Sequence, residues 1–321
     1  MSPLSRFGRA LSRRRVIQLG AAWAALAPAT QASADTKPQF YYSDYFSFVG
    51  RDAAGFVYLA HDNNRGQTGD EFFADHWIAM YDEATGWVDV QGSAHYPNPG
   101  KLLAAIPDSA FFQFRGSSTA GFDVDSQLND MRWRIGAMAP VLRRESEDGI
   151  FWIGAAPSTL VWKGRTLHGR VLFEYLQRHN HNRFTAGFGG GSFQNFNGLY
   201  LKTSDDRDFY VHYHERKGGS DLTGRLVGCA TWGDAAAVTG LDFKITETAA
   251  IPYRTTYRWP IAWSVGFEHG GSRYRLELVT AERRLMADWE TGGFAMSVVR
   301  GTISAPSRPP TSVVGWGELI I

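Results

Sequence analysis

From residue 40 onward, apolar and polar positions alternate in short runs, broken every eight to fifteen residues by Gly, Asp or Asn. A period of two marks half-buried strands, and no long stretch carries the 3.6-residue period of an amphipathic helix. The pattern predicts strands over Phe40–Val49, Phe56–His61, Asp75–Tyr81, Trp87–Val90, Ala110–Arg115, Asp130–Ala137 and Ile150–Ile153. It continues over Thr166–Leu176, Phe196–Thr203, Asp208–Glu215, Leu222–Trp232, Ala237–Thr248, Tyr257–Phe267, Arg273–Thr280, Ala295–Ile303 and Val313–Ile321. His61–Gly66 reads as a polar turn closing a strand, Asp82–Gly86 as a hairpin loop, and Ser93–Gly100 as a surface loop. Only Gly100–Ile106 looks briefly helical. Many short strands with no long helix between them indicate an all-β chain of antiparallel sandwiches or barrels.

The N-terminus breaks this pattern. Arg13-Arg14-Arg15-Val16-Ile17 carries twin arginines, a spacer and two apolar residues. A short apolar run, Leu19–Ala29, follows, and Ala32-Ser33-Ala34 supplies the small residues a signal peptidase reads. Residues 1–34 are therefore expected to be a cleavable twin-arginine signal peptide, handled by the twin-arginine translocase, which places the protein in the periplasm or outside the cell. The run falls short of the ~20 apolar residues that span a bilayer, and the mature chain carries no transmembrane segment of its own. Cleavage leaves 287 of 321 residues. The strand rhythm restarts near Thr166, after Ala156-Pro157-Ser158, giving an N-terminal β-domain over 35–165 and a C-terminal one over 166–321.

Composition then narrows the function. Without the leader the chain has 28 basic and 32 acidic residues, a formal charge of −4, and no basic run, so nothing recommends nucleic acid as a partner. The single cysteine, Cys229, allows no internal disulfide and no Cys-based metal site, and its apolar setting fits a packed side chain. Gly189–Gly191 lacks the strand-to-helix context of a phosphate loop, and no Gly-x-Ser-x-Gly elbow is present.

Several segments, in order, resemble the two-domain lipocalin-like family of carotenoid 1,2-hydratase (hydroxyneurosporene synthase) and the AttH proteins. They are Tyr41-Tyr42-Ser43-Asp44-Tyr45-Phe46-Ser47-Phe48-Val49 with Gly55-Phe56-Val57-Tyr58-Leu59, Gly169–Tyr175, and Asn197–Leu201 with Phe209–Tyr213. Further along come Tyr257–Val265 with its Trp259-Pro260 pair, Trp289-Glu290 followed by Gly301, and the closing Gly315-Trp316-Gly317-Glu318-Leu319. One departure stands out: Leu172-Phe173-Glu174 occupies the place where the family often has Trp-Tyr-Asp. The resemblance implies two consecutive lipocalin-like antiparallel β-domains and a hydrophobic, isoprenoid- or lipid-like small molecule as partner. It also implies a hydro-lyase or isomerase that uses no cofactor and no metal, protonating a double bond and quenching the cation with water.

Such chemistry needs a carboxylic acid held neutral in an apolar cavity, beside aromatic faces that stabilise a cation. Glu174 is the first candidate, because alternation sets it between Leu172 and Leu176 on one face of a strand. Asp44, among aromatics, is a second candidate acid. His212 is a candidate proton relay, sharing a strand face with Tyr210 and His214. Tyr45, His61, Trp77, Tyr210, His214 and Trp232 are expected to contact the substrate. Asp75 and His76 are adjacent on a strand and so face opposite sides, which excludes a direct dyad. Glu318 reads as a structural element of the fold. Two other readings stay open: a carrier of a lipid-like ligand without chemistry, and an envelope protein whose barrels are filled by side chains.

Overall fold

The computed structural model describes residues 39–320, except 69–70, 93, 98–100, 102, 104, 110, 147–148, 180–192, 217–240, 252–253, 290–291 and 307. The leader, Cys229 and Trp232 lie outside the described residues. His214 lies on a described strand, but its side chain is outside the description.

Alternation dominates as expected, and the described chain is built from antiparallel strands. In order they are β1 (Gln39–Asp52), β2 (Gly55–Thr68), β3 (Glu71–Asp82), β4 (Gly86–Val88), β5 (Ala94–Pro97), β6 (Gln113–Ser117), β7 (Gly121–Ser126), β8 (Met131–Ile135) and β9 (Ala139–Ser146). Then come β10 (Gly149–Trp162), β11 (Arg165–His179), β12 (Phe193–Thr203), β13 (Asp208–Arg216), β14 (Asp242–Ile251), β15 (Arg254–His269), β16 (Ser272–Trp289), β17 (Gly292–Ala305) and β18 (Arg308–Ile320). They form two curled sheets, each a half-barrel, as expected for two lipocalin-like domains.

The first sheet runs β4-β3-β2-β1-β11-β10-β8-β7-β6, with β5 on β3 and β9 on β10; the second runs β13-β12-β18-β17-β16-β15-β14. The boundary expected at 165/166 falls in the β10–β11 hairpin. β11 itself hydrogen-bonds inside the first sheet, between β1 and β10. This pairing places Glu174 on the N-terminal wall.

Three expectations from the pattern are overturned. His61–Gly66 is not a turn but the middle of β2, paired on both sides, with His61 to Arg65 all buried. Asp62, Asn64 and Arg65 find partners on neighbouring strands, which removes the usual reason for Asp-Asn-Asn to seek a turn. Ala94–Pro97 is a strand on β3 rather than loop. The described residues of Gly100–Ile106 form no helix.

Three apolar clusters hold the molecule. Phe46, Phe48, Trp133 and Phe173 fill the first half-barrel, and Phe209, Trp259, Trp263 and Phe267 fill the second. The third lies in the seam between the sheets, with Tyr45, Tyr58, Trp77, Leu172, Tyr200, Tyr210 and Trp316. Rings meet across this seam at Tyr45–Tyr200 (4.6 Å), Trp77–Phe294 (5.1 Å) and Tyr58–Trp316 (6.0 Å). Each such pair contributes about 0.5–1.5 kcal/mol beyond its burial. Ion pairs reinforce the junction: Arg170–Asp208 at 2.6 Å, Arg300–Glu83 at 2.6 Å and Arg284–Asp89 at 3.1 Å.

Candidate functional site

The polar groups of the seam come from two facing walls. On the N-terminal wall, strand register aligns Trp77, Asp62, Tyr45, Glu174 and Ile153 in one row across five strands. Residues directly opposite on antiparallel strands share a face, so the row presents an indole, two carboxyls and a phenol to the second sheet. On the C-terminal wall, one row reads Tyr210, Tyr200, Trp316 and Val298; the next reads His212, Gly198, Glu318 and Met296. Gly315 permits the close approach of β18 to β12, because a Cβ there would collide with the Tyr200 carbonyl oxygen.

Glu174 is where the walls meet. Its Oε2 accepts hydrogen bonds from the Tyr210 hydroxyl at 2.7 Å and the Tyr200 hydroxyl at 3.0 Å. The Tyr200 hydroxyl also lies 3.4 Å from Oε2 of Glu318. Behind Tyr210, Nδ1 of His212 sits 3.0 Å from the phenol oxygen. A phenol has one proton, and with Tyr210 giving its own to Glu174 the His212 nitrogen must be the N–H donor. Phe151 and Phe196 pack against this imidazole.

A second carboxyl, Asp62, is buried beside them. It accepts from Ser43 Oγ at 2.9 Å, Asn64 Nδ2 at 2.8 Å and Trp77 Nε1 at 3.0 Å, all neutral donors. The amide oxygen of Asn64 in turn accepts from Tyr41. Burial pushes Asp62 up to about 6, against the pull of its three donors. Glu318 is half-buried by exposure yet enclosed by protein, and its pKa is raised well above the carboxylate range. Burial is the main cause, followed by the charges of Asp62 and Glu174; only the Tyr200 hydroxyl opposes them. Tyr45 is buried, and its hydroxyl has no hydrogen-bond partner. Burial raises its pKa, and Glu318, Asp62 and Glu174 all add to the rise, so the phenol faces all three acids without bonding any.

The sheet turns the remaining candidates to its other face. Asp44 and His61 point into the first half-barrel, away from Glu174. Asp44 Oδ2 pairs with Arg65 Nη2 at 2.5 Å. Arg65 also donates to the carbonyls of Leu103 (3.1 Å) and Asn63 (3.3 Å) and lies over the Tyr42 ring. Burial raises the Asp44 pKa, opposed by Arg65. Nδ1 of His61 lies 3.3 Å from the Asn63 amide nitrogen, and its ring packs 5.5 Å from His76 and 4.9 Å from Phe114. Burial lowers both imidazoles: His61 well below its ordinary value, and His76 to about 4. His76 thus faces away from Asp75, as adjacent strand positions require.

The structure therefore gathers Glu174, Tyr45, Trp77, Tyr210 and His212 in the packed seam between the sheets and sets Asp44 and His61 apart. Sequence reasoning did not single out Tyr200, Tyr41 or Ser43, placed Asp62 in a turn, and read Glu318 as a structural element of the fold. The usable signal was alternation itself: Tyr41, Ser43 and Tyr45 share a face, and Trp316 and Glu318 share another. Among the described residues no group of three or more His, Cys, Asp or Glu is arranged to hold a metal ion.

No family model matches the sequence, and no curated protein matches it. Solved structures do. An AttH protein of Nitrosomonas europaea aligns with a TM-score of 0.54 at 11% identity, covering 91% of this chain and 96% of its own. Kievitone hydratase of Nectria haematococca aligns with a TM-score of 0.51 at 12% identity over 87% and 88%. CghA, solved with Sch210972, aligns with a TM-score of 0.50 at 9% identity over 88% of each chain. The chain shares the two-domain lipocalin-like fold of these proteins.

Proposed function

We propose that this is an exported, cofactor-independent hydro-lyase or isomerase that binds a hydrophobic, isoprenoid- or lipid-like small molecule in the seam between its half-barrels. Glu174 is its catalytic carboxylate. The observation that carries the reading is the joining of Glu174, on the first sheet, to two tyrosine hydroxyls on the second, inside an aromatic seam that also buries Asp62. Acid–base catalysis on a double bond needs an ionisable oxygen acid in surroundings that exclude bulk water, with aromatic faces near the developing cation. Tyr45 and Trp77 supply such faces beside Glu174. His212 orients Tyr210 and, through it, Glu174. Two neighbours with the same fold carry hydratase or AttH names, which fits this class of chemistry without fixing its substrate. The twin-arginine leader places the work in the periplasm or outside the cell.

The test is mass spectrometry of lipid extracted from protein purified from its native host, followed by incubation of that lipid with fresh protein. A bound apolar molecule that gains or loses the elements of water, or isomerises, is the expected result. A bound molecule that is never altered points instead to a carrier. Absence of any such molecule removes the reading.

A further inference from the structure

The seam holds more acids than it has positions for negative charge, and its hydrogen-bond geometry decides where the proton lies. The Tyr200 hydroxyl has one hydrogen and two carboxyl neighbours, Glu174 at 3.0 Å and Glu318 at 3.4 Å. A phenol donates to one acceptor at a time, and the nearer oxygen takes it. Burial keeps Tyr200 protonated, since its pKa is raised. The contact with Glu318 is then a hydrogen bond only if Glu318 supplies the proton. Tyr200 is positioned to donate to either carboxyl. With its hydrogen on the nearer Glu174, the Glu318 carboxyl has no cation beside it among the described residues and keeps its own proton, which can then point back to the Tyr200 oxygen as His212 does to Tyr210. Glu174, collecting two hydroxyls, is the ionised end of this chain.

A second observation marks the same place as built for a guest. The Tyr45 hydroxyl is buried and unpartnered, close to Asp62 and Glu174 of its own wall and to Glu318 of the opposite one. A buried hydroxyl without a partner is costly unless something that binds there satisfies it.

We infer that Glu318, joined through Tyr200 to an ionised Glu174, is the proton donor of the seam. This rests on the function proposed above. In water addition to a carbon–carbon double bond, the π pair takes the Glu318 proton and forms a C–H bond as the O–H bond breaks. Water closes on the resulting cation through a new C–O bond, and its released proton goes to Glu174. Tyr200 then takes that proton from Glu174 as it passes its own to Glu318, which restores the starting state. The net change is alkene plus water to alcohol, with no oxidant or reductant.

Infrared spectroscopy of the mature protein at about pH 8, well above the value of Asp62, tests the assignment directly. A protonated carboxyl group has a carbonyl stretch distinct from carboxylate bands. The expected result is one such band that shifts on 13C-glutamate labelling, vanishes in Glu318→Gln and persists in Glu174→Gln. Should Glu318→Gln not fold, Tyr200→Phe serves: removing the acceptor moves the band to higher frequency. No such band, a band lost in Glu174→Gln but kept in Glu318→Gln, or a band unmoved by Tyr200→Phe overturns the inference. Its failure is separable from failure of the functional reading. A Glu174 band in protein that turns over its lipid defeats only the donor assignment, whereas a Glu318 band in protein with no lipid guest defeats only the function.

Discussion

On β1, Asp44 and Tyr45 point to opposite sides of one sheet, and the acids on the two sides are stabilised differently. Inside the first half-barrel, Asp44 is neutralised by Arg65 at 2.5 Å, and the neighbouring histidines are driven toward the neutral form. In the seam, Asp62 meets only neutral donors, and the charges around Glu318 are other carboxylates. A cation that cancels a buried charge makes a structural device. Acids left to raise each other's pKa store a proton that can be given away. Both regions are packed by aromatic rings and both retain a buried polar atom without a partner: Nε2 of His61 on one side and the Tyr45 hydroxyl on the other.

The sharpest way to break this comparison is to remove the charge at the centre of the seam. Glu174→Gln is expected to lower turnover by about 10²–10⁴-fold while the protein still retains its lipid guest. Unchanged turnover, measured on the lipid recovered from the native protein, would rule Glu174 out. Next comes the half-barrel. Arg65→Met leaves Asp44 buried beside an apolar chain and should cost about 3–5 kcal/mol in denaturant melts, with little change at the seam. A much smaller loss would show that Asp44 takes up a proton at no great expense.

The finest distinction is the sign of the pH dependence. Asp62 has a folded pKa raised to about 6, so its contribution is fully present below its unfolded value of 3.8 and is lost as pH rises through 6. His76 is lowered from 6.5 to about 4, so its contribution is present above 6.5 and is lost as pH falls toward 4. The two slopes oppose each other across the same window, each amounting to roughly 2–3 kcal/mol. Asp62→Asn should leave stability rising with pH between about 4 and 6, and His76→Gln should leave it falling over the same window. Parallel curves for wild type and both variants would show that neither group titrates as its surroundings dictate.

Much of the architecture was readable from alternation, and so was the sharing of one face by Tyr210 and His212 and the flanking of Glu174 by leucines. What alternation could not supply was the identity of the facing wall. Asp62-Asn63-Asn64 looks like a turn because the cross-strand partners that complete its hydrogen bonding are remote in the sequence. Its partners, Ser43 and Trp77, come from separate strands and make the extended form the better solution. Asp44 and His61 belong to the same strands as the seam residues, but their parity sends them to the other side. The contact of Glu318 with Tyr200 became visible only once β18 lay against β12. Trp232 and the side chain of His214 lie outside the described residues.

The carboxylate of Glu174 and the two phenols that hold it belong to different sheets. Neither sheet by itself contains the assembled centre, so packing of the two sheets is also what assembles it. On the proposed function, any widening of the seam to admit a guest would lengthen both contacts at once, so entry of the guest and release of the Glu174 carboxylate would be coupled.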